Sequence, residues 1–140
     1  MRWRFSNAVK VATDRLIVDL EDAVAPGDKD RARAIVVDTL QSRACGLPTV
    51  VRINSLGSRA ALADLTALLE RGPFPDALLI PKVESPTHIE IVDGLLHEAG
   101  AHTMIVALIE SACGIEAVYE TLRVGRRLIA AMTKLNNCET

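Results

Sequence analysis

Four short apolar runs recur along this 140-residue chain at intervals of about thirty residues, and each run ends in charged side chains. The charged residues are Glu21 with Asp22, then Arg52, Lys82 and Glu110, and the successive intervals from Glu21 are 31, 30 and 28 residues. An interval of this length accommodates one β-strand and one helix. Burying a charge is costly unless it is paired or functional. Charges at the same end of four successive parallel strands therefore predict one shared site.

The apolar periodicity predicts strands at 16–22, 49–54, 77–82, 104–110 and 127–132. Between them, apolar residues at spacings of three and four predict helices at 28–43, 60–70, 86–99 and 114–122. Residues 7–13 are predicted to end a further helix. In the helix at 60–70, Leu62, Leu65 and Leu69 are predicted to form the inner stripe, and in the helix at 28–43 Arg33 is predicted to point away from the core.

Strands and helices alternate without a hairpin signal, which indicates an α/β fold with a parallel sheet. A doubly wound sheet and a (β/α)8 TIM barrel both have this alternation. Polar residues at the end of every strand favour the barrel, in which all strands deliver their ends to one rim, and no GxGxxG follows the first strand. A barrel needs eight strands and roughly 250 residues. With about five parallel strands, the predicted fold is a partial (β/α)8 barrel.

Composition excludes several classes of partner. The net charge is −2 and aromatic residues make up 3% of the chain, so neither nucleic acid nor an anionic membrane surface is expected as a partner. No apolar run approaches the length of a membrane span. Cys45, Cys113 and Cys138 are too far apart for a clustered metal motif, which favours reduced thiols in a cytoplasmic protein. Cys113 is predicted to be a packing residue.

Glu110 is the strongest candidate for a metal ligand. It ends an otherwise apolar strand, so its carboxylate is predicted to lie at the rim and partly out of water. A carboxylate there needs a cation, and Mg²⁺ takes one or two carboxylates and completes its shell with water and substrate oxygens. A salt bridge to a neighbouring arginine or lysine is an equally compatible interpretation.

The other three strand ends also allow two interpretations each. Glu21 and Asp22 either hold metal-bound water or cap a loop. The planar fork of Arg52 suits a substrate carboxylate, or it forms a structural ion pair with Glu21 or Asp22. Lys82 either contacts an anion and neutralises the carboxylates, or is a solvated lysine at the rim.

Four motifs in this order resemble those of one known family. DRLIVDLEDAVAPGDKDRAR, VVRINSLGS, LLIPKVES and VALIESACGI look like the citrate lyase β-subunit group of the HpcH/HpaI aldolase family, which includes citryl-CoA, malyl-CoA and citramalyl-CoA lyases and malate-forming thioesterases. The resemblance runs from about Asn7 to about Ala130. It implies a (β/α)8 barrel, assembled into trimers or hexamers, and a coenzyme A thioester or keto acid as substrate.

The resemblance also implies a chemistry and a set of roles. The reaction would be Mg²⁺-dependent cleavage or formation of a carbon–carbon bond between an acyl-CoA enolate and an α-keto acid. Arg52 would bind the substrate carboxylate and Glu110 would ligate Mg²⁺, so these two are the predicted catalytic residues. Glu21 and Asp22 would position metal-bound waters, and Lys82 would balance charge near the substrate.

The sequence departs from the family pattern at both ends. The family's first strand is expected before this chain's first motif, and Asn136 or Asn137 takes the approximate place of a second metal-binding aspartate. A neutral amide there is expected to lower Mg²⁺ affinity. The predicted organisation is therefore a partial lyase-like barrel over 1–132, truncated on both sides, and an atypical tail over 133–140.

Three functional interpretations follow. The first is a carbon–carbon lyase, and the second is a catalytically incomplete barrel fragment that acts only as a structural or partner domain. The third is an unrelated α/β binding domain, which leaves the strand-end charges unexplained. The choice of acyl-CoA, and of lyase or thioesterase, is left open.

Overall fold

The computed structural model describes residues 14–42, 46–70 and 72–133. The predicted helix end at 7–13 and the residues Asn136 and Asn137 lie outside this range. The elements, in chain order, are β1 (Leu16–Asp19), a 3-10 turn (Pro26–Asp28), α1 (Lys29–Ser42), β2 (Thr49–Arg52), α2 (Arg59–Leu69), β3 (Ala77–Ile80), α3 (Pro86–Glu98), β4 (Met104–Ile109), α4 (Ala112–Glu116), α5 (Val118–Arg123) and β5 (Leu128–Thr133).

The five strands form one sheet in the order β1-β2-β3-β4-β5, and every neighbouring pair is parallel. A doubly wound sheet reverses its strand order at a switch point, and this sheet does not. Because crossovers between parallel neighbours are almost always right-handed, helices that join successive neighbours are expected on one face of the sheet. The structure therefore confirms the α/β class and five consecutive strands of a (β/α) barrel.

The core lies between the sheet and the helices. Val18, Val51, Leu78 and Ile105 occupy one register row across four strands, and the last three are fully buried. Because side chains alternate along a strand, the next row points to the opposite, concave face. That row begins with Asp19 beside Arg52.

β1 is shorter than predicted. The predicted strand at 16–22 ends at Asp19 because the Asp19 carboxylate accepts hydrogen bonds from the backbone N–H groups of Glu21 (2.8 Å) and Ala23 (3.1 Å). This local capping competes with the sheet ladder. The Leu20 N–H still donates to the Arg52 carbonyl oxygen of β2 (2.9 Å), and the chain leaves the sheet after it. Residues 20–23, which we call the carboxylate loop, therefore carry Glu21 and Asp22 beyond the end of the strand.

The prediction for the inner stripe of α2 was partly wrong. Leu65 and Leu69 pack inward as predicted, but Leu62 is 69% exposed and Asp64 is fully buried in its place. Asp64 faces inward because it pairs with Arg33 of α1 (Nε to Oδ1 2.9 Å). Arg33 is thus buried, against the prediction that it points away from the core.

The predictions for the helix at 114–122 and for Cys113 need correction. The predicted helix at 114–122 is two short helices, α4 and α5, which meet at Ala117 (ψ −1°). α4 begins earlier than predicted because the Ser111 hydroxyl caps it at the Gly114 N–H. Cys113 in α4 is exposed rather than packed. No helix in the described part of the chain is long and apolar enough to cross a bilayer.

We expect Leu78→Ala to lower the free energy of unfolding by about 2–5 kcal/mol, because it opens a cavity at a fully buried strand position. Urea denaturation measures the change. Leu62→Ala is the matched control and should shift stability by no more than about 0.5 kcal/mol. Equal losses from the two leucines would contradict the assigned orientation of α2.

Candidate functional site

The site is built on an ion pair that the sheet register sets up directly. Asp19 and Arg52 are register partners on β1 and β2, so their side chains emerge next to each other on the concave face. Arg52 donates from Nε to Asp19 Oδ1 (2.8 Å) and from a terminal nitrogen to Asp19 Oδ2 (2.5 Å). This is the two-point arrangement that a guanidinium and a carboxylate form best.

The pair fixes the charge of both groups. Burial alone would raise the pKa of Asp19, but hydrogen bonds from Arg52 and from the N–H groups of Glu21 and Ala23 outweigh it, so this pKa is lowered. The hydrogen bonds to Asp19, followed by the charges of Asp19, Glu21 and Asp22, raise the pKa of Arg52 despite partial burial. Asp19 is therefore ionised at neutral pH, and Arg52 holds a fixed orientation.

Glu21 lies against the other side of Arg52. Its side chain is 8% exposed, and its Oε2 is 3.6 Å from Arg52 Nη1, which is too long for a hydrogen bond. Within the described part of the chain, this buried Oε2 has no hydrogen-bond partner. Its Oε1 accepts a hydrogen bond from the Ser55 hydroxyl (3.0 Å) and lies 3.2 Å from Lys82 Nζ. A buried, incompletely satisfied carboxylate oxygen suits a further cation or donor.

Lys82 links two carboxylates, one through its ammonium group and the other through its backbone N–H. Its Nζ contacts Glu21, while its backbone N–H donates to Glu110 Oε2 (3.1 Å). The hydrogen bond to Glu21 and the nearby acidic charges raise the pKa of Lys82, so it stays cationic. Its backbone is left-handed (φ 51°), which is unfavourable for a residue with a Cβ. Such strain is characteristic of functional sites.

The loops after β3 and β4 press against each other beside Glu110. The Ser111 hydroxyl donates to Glu84 Oε1 (2.8 Å) and accepts from the Gly114 N–H. A Cβ at Gly114 would lie 2.6 Å from the carbonyl oxygen of Val83, so only glycine allows this approach. The loops that carry Lys82 and Glu110 are therefore fixed relative to each other.

The structure thus brings all the predicted residues to one edge of the sheet, formed by the carboxyl ends of the strands, which we call the rim. Arg52 contacts Glu21 and Asp22. Lys82 contacts Glu21 through its ammonium group and Glu110 through its backbone N–H. Sequence reasoning missed two polar residues of this cluster, Asp19 and Ser55. It also missed Glu84, which bonds Ser111 beside Glu110. Asp19 had a usable signal, since it is a carboxylate inside an apolar strand.

The donor set of the rim fits a hard divalent cation in part. The rim carries four carboxylates and two cations, which leaves two negative charges in excess. The carboxylates belong to Asp19, Glu21, Asp22 and Glu110, and the cations to Arg52 and Lys82. Over residues 14–42, 46–70 and 72–133, however, no three Asp, Glu, His or Cys side chains converge as ligands of one ion. Mg²⁺ requires only one or two carboxylates when water and substrate complete its shell. Glu110 and the incompletely satisfied Glu21 are oxygen donors of the type that Mg²⁺ prefers.

Comparison with known proteins decides the family. The sequence model of the HpcH/HpaI aldolase/citrate lyase family matches residues 4–136. The chain belongs to this family.

Two curated relatives of this HpcH/HpaI family member are lyases. This chain is 36% identical over 133 residues to the citrate lyase subunit beta of Haemophilus influenzae. The aligned region covers 89% of this chain and 45% of that protein. The chain is 36% identical over 124 residues to the mitochondrial citramalyl-CoA lyase of Homo sapiens, and the aligned region covers 80% of this chain and 36% of that protein. The chain therefore spans less than half the length of these relatives.

The fold of this family member matches a solved structure. Protein CitE from Mycobacterium tuberculosis, in complex with magnesium and acetate, superposes with a TM-score of 0.74 at 30% identity. The match covers 94% of this chain and 49% of that one. The family match also rules out the interpretation as an unrelated α/β binding domain.

Replacing Asp19 should reveal how the central ion pair contributes to stability in this family member. A carboxyl group with a lowered folded-state pKa stabilises the fold above its unfolded-state pKa of about 3.9, and this contribution is lost as pH falls through the folded pKa. We expect Asp19→Asn to lower the free energy of unfolding by about 1–3 kcal/mol at pH 7. The difference in the free energy of unfolding between wild type and variant should shrink as pH falls from about 5 towards 2.

Denaturant titrations at several pH values measure this gap. Asp38→Asn, which changes an exposed carboxylate on α1, is the control and should show almost no gap at any pH. A gap for Asp19→Asn that stayed constant down to pH 2 would contradict the assigned ion pair.

Proposed function

We propose that this chain forms the Arg52 side of a Mg²⁺-dependent carbon–carbon lyase site that acts on 3-hydroxyacyl-CoA thioesters. One observation carries the proposal: a fixed arginine and an excess of carboxylates meet at the rim of a sheet from the citrate lyase family. The substrate class includes citryl-, malyl- and citramalyl-CoA, in keeping with the names of the relatives.

Arg52 is proposed to hold the carboxylate of the substrate or keto acid. Asp19 occupies Nε and one terminal nitrogen of the guanidinium. The other terminal nitrogen, Nη1, lies only at ion-pair distance from Glu21 and keeps donor capacity for a ligand. Since Asp19 fixes the plane of the guanidinium, a carboxylate bound there would be held in one orientation, as bond cleavage requires.

The reaction assigned to the site is a retro-aldol cleavage. The 3-hydroxyl group loses its proton and becomes the carbonyl of the keto acid, while the bond between C2 and C3 breaks. The electron pair of that bond passes to the thioester as an enolate, which takes up a proton at C2 to give the acyl-CoA product. Negative charge therefore develops on the thioester oxygen, and a cationic site there lowers the barrier.

Glu110 is proposed to ligate Mg²⁺, and Glu21 and Asp22 are proposed to hold its water ligands. When bound, the ion would act as a Lewis acid towards the developing negative charge. The backbone N–H of Lys82 orients the Glu110 carboxylate through its Oε2, and the Lys82 ammonium group offsets the charge of Glu21. The solved CitE structure of this family holds magnesium and acetate, which supports an ion and a carboxylate as the ligands of this site.

Magnesium titration of the purified chain by calorimetry tests the metal assignment. We expect binding that Glu110→Gln weakens by at least tenfold, since even residues that only orient metal ligands cost about 10–100-fold. Glu98→Gln, at the end of α3, is the control and should bind as wild type does. No heat of binding at millimolar Mg²⁺ would overturn the assignment and favour the catalytically incomplete fragment.

Cleavage assays on malyl-, citramalyl- and citryl-CoA, followed by release of the keto acid, test the activity. We expect Arg52→Lys to raise KM by about 10–100-fold, the equivalent of one charge-assisted hydrogen-bonded contact. Arg59→Lys, an exposed substitution at the start of α2, should leave KM unchanged. An unchanged KM in Arg52→Lys would remove the assigned carboxylate contact.

A further inference from the structure

Lys29, the first residue of α1, uses its whole ammonium group to hold the carboxylate loop. Its Nζ donates to the backbone carbonyls of Leu20 (2.6 Å) and Glu21 (2.5 Å) and to Asn54 Oδ1 (2.8 Å). An ammonium group has three N–H donors. Two of the three bonds thus go to the carboxylate loop and the third goes to Asn54.

The Lys29 contact lies where the chain leaves the sheet. The last residue of β1 is Asp19, so the Leu20 and Glu21 carbonyls lie at the end of the parallel ladder. The Leu20 carbonyl accepts from both Lys29 Nζ and Asn54 Nδ2 (3.0 Å). The loop is thus held at its carbonyls by Lys29 and Asn54, and at its N–H groups by the Asp19 carboxylate and the Arg52 carbonyl.

The support beneath Lys29 is itself rigid. Asn54 donates to Asp64 Oδ2 from its backbone N–H (2.8 Å) and from its side chain (2.7 Å). Asp64 is fully buried and is paired through Oδ1 with Arg33. Lys29 and Arg33 are four residues apart, so α1 directs both cations from one face into the same network. α1, α2 and the end of β2 are thereby joined to the loop.

We propose that Lys29 is a positioning residue for the metal and substrate site. It orients the carboxylate loop so that Glu21 faces Arg52 and Lys82, while Asp22 reaches Arg52 at the exposed edge. Lys29 touches no ligand in this role and acts through Glu21 and Asp22. The consequence for metal affinity rests on the proposed function, whereas the consequence for the order of the loop does not.

The first test is amide hydrogen exchange in Lys29→Met, which keeps most of the side-chain stem and removes the donors. We expect exchange at the Glu21 and Ala23 amides, both bonded to Asp19, to accelerate by about tenfold or more, because the loop opens locally. Exchange in β3 should keep its wild-type rate. A purely structural role would instead accelerate exchange throughout the sheet.

The second test is Mg²⁺ affinity by calorimetry in the same variant. We expect a loss of about 10–100-fold, the range for residues that orient metal ligands. Arg31→Met, an exposed substitution in the first turn of α1, is the matched control and should change neither readout. If Lys29→Met does not fold, Lys29→Gln, which retains two N–H donors on a shorter stem, takes its place with smaller effects in the same direction.

The outcomes separate the two proposals. Faster loop exchange together with weakened Mg²⁺ binding supports the positioning role. Faster loop exchange in a chain whose wild type binds no Mg²⁺ retains the loop-ordering role and overturns the metal assignment. Wild-type exchange at Glu21 and Ala23 in a folded Lys29 variant overturns the inference, whatever the wild-type chain binds.

Discussion

The register between β1 and β2 sets Asp19 directly beside Arg52, and much of the rim is organised around that contact. Neither charge faces bulk water fully, so each needs the other to offset the cost of leaving water. Arg52 then has two nitrogens engaged and presents the remaining one towards Glu21. Asp19 at the same time accepts the N–H groups that turn the chain out of the sheet. One ion pair thus ends a strand, shapes the loop and orients the arginine.

Around this pair, the polar groups are arranged in two layers. The outer layer contains Glu21, Asp22, Lys82 and Glu110, where acids outnumber bases and an oxygen of Glu21 stays incompletely satisfied. The inner layer is a continuous chain of hydrogen bonds from Lys29 through Asn54 and Asp64 to Arg33. A satisfied buried network gives a unique local structure. The inner layer is therefore suited to support, and the outer layer to ligand binding.

Much of the fold was predictable because strand and helix periodicities differ and because the units have a uniform length. All five strands and the four charged strand ends followed from these patterns, and the motifs identified the family. The ion pairs of Arg52 with Glu21 and Asp22 were among the predicted alternatives. Its two-point partner, Asp19, did not follow, because pairing depends on register, which no single strand encodes. Likewise, the leucines of α2 indicated a stripe but not its direction. Asp64 turns inward only because Arg33 and Asn54, distant in sequence, meet it there.

Gly114 joins the loop after β3 to the loop after β4 at the rim. Its missing side chain lets the start of α4 pack against the Val83 carbonyl. Val83 follows Lys82 and α4 follows Glu110, so this contact joins the two loops. A larger residue at position 114 would push the start of α4 away from the Val83 carbonyl and disturb the neighbouring hydrogen bond between the Lys82 N–H and Glu110.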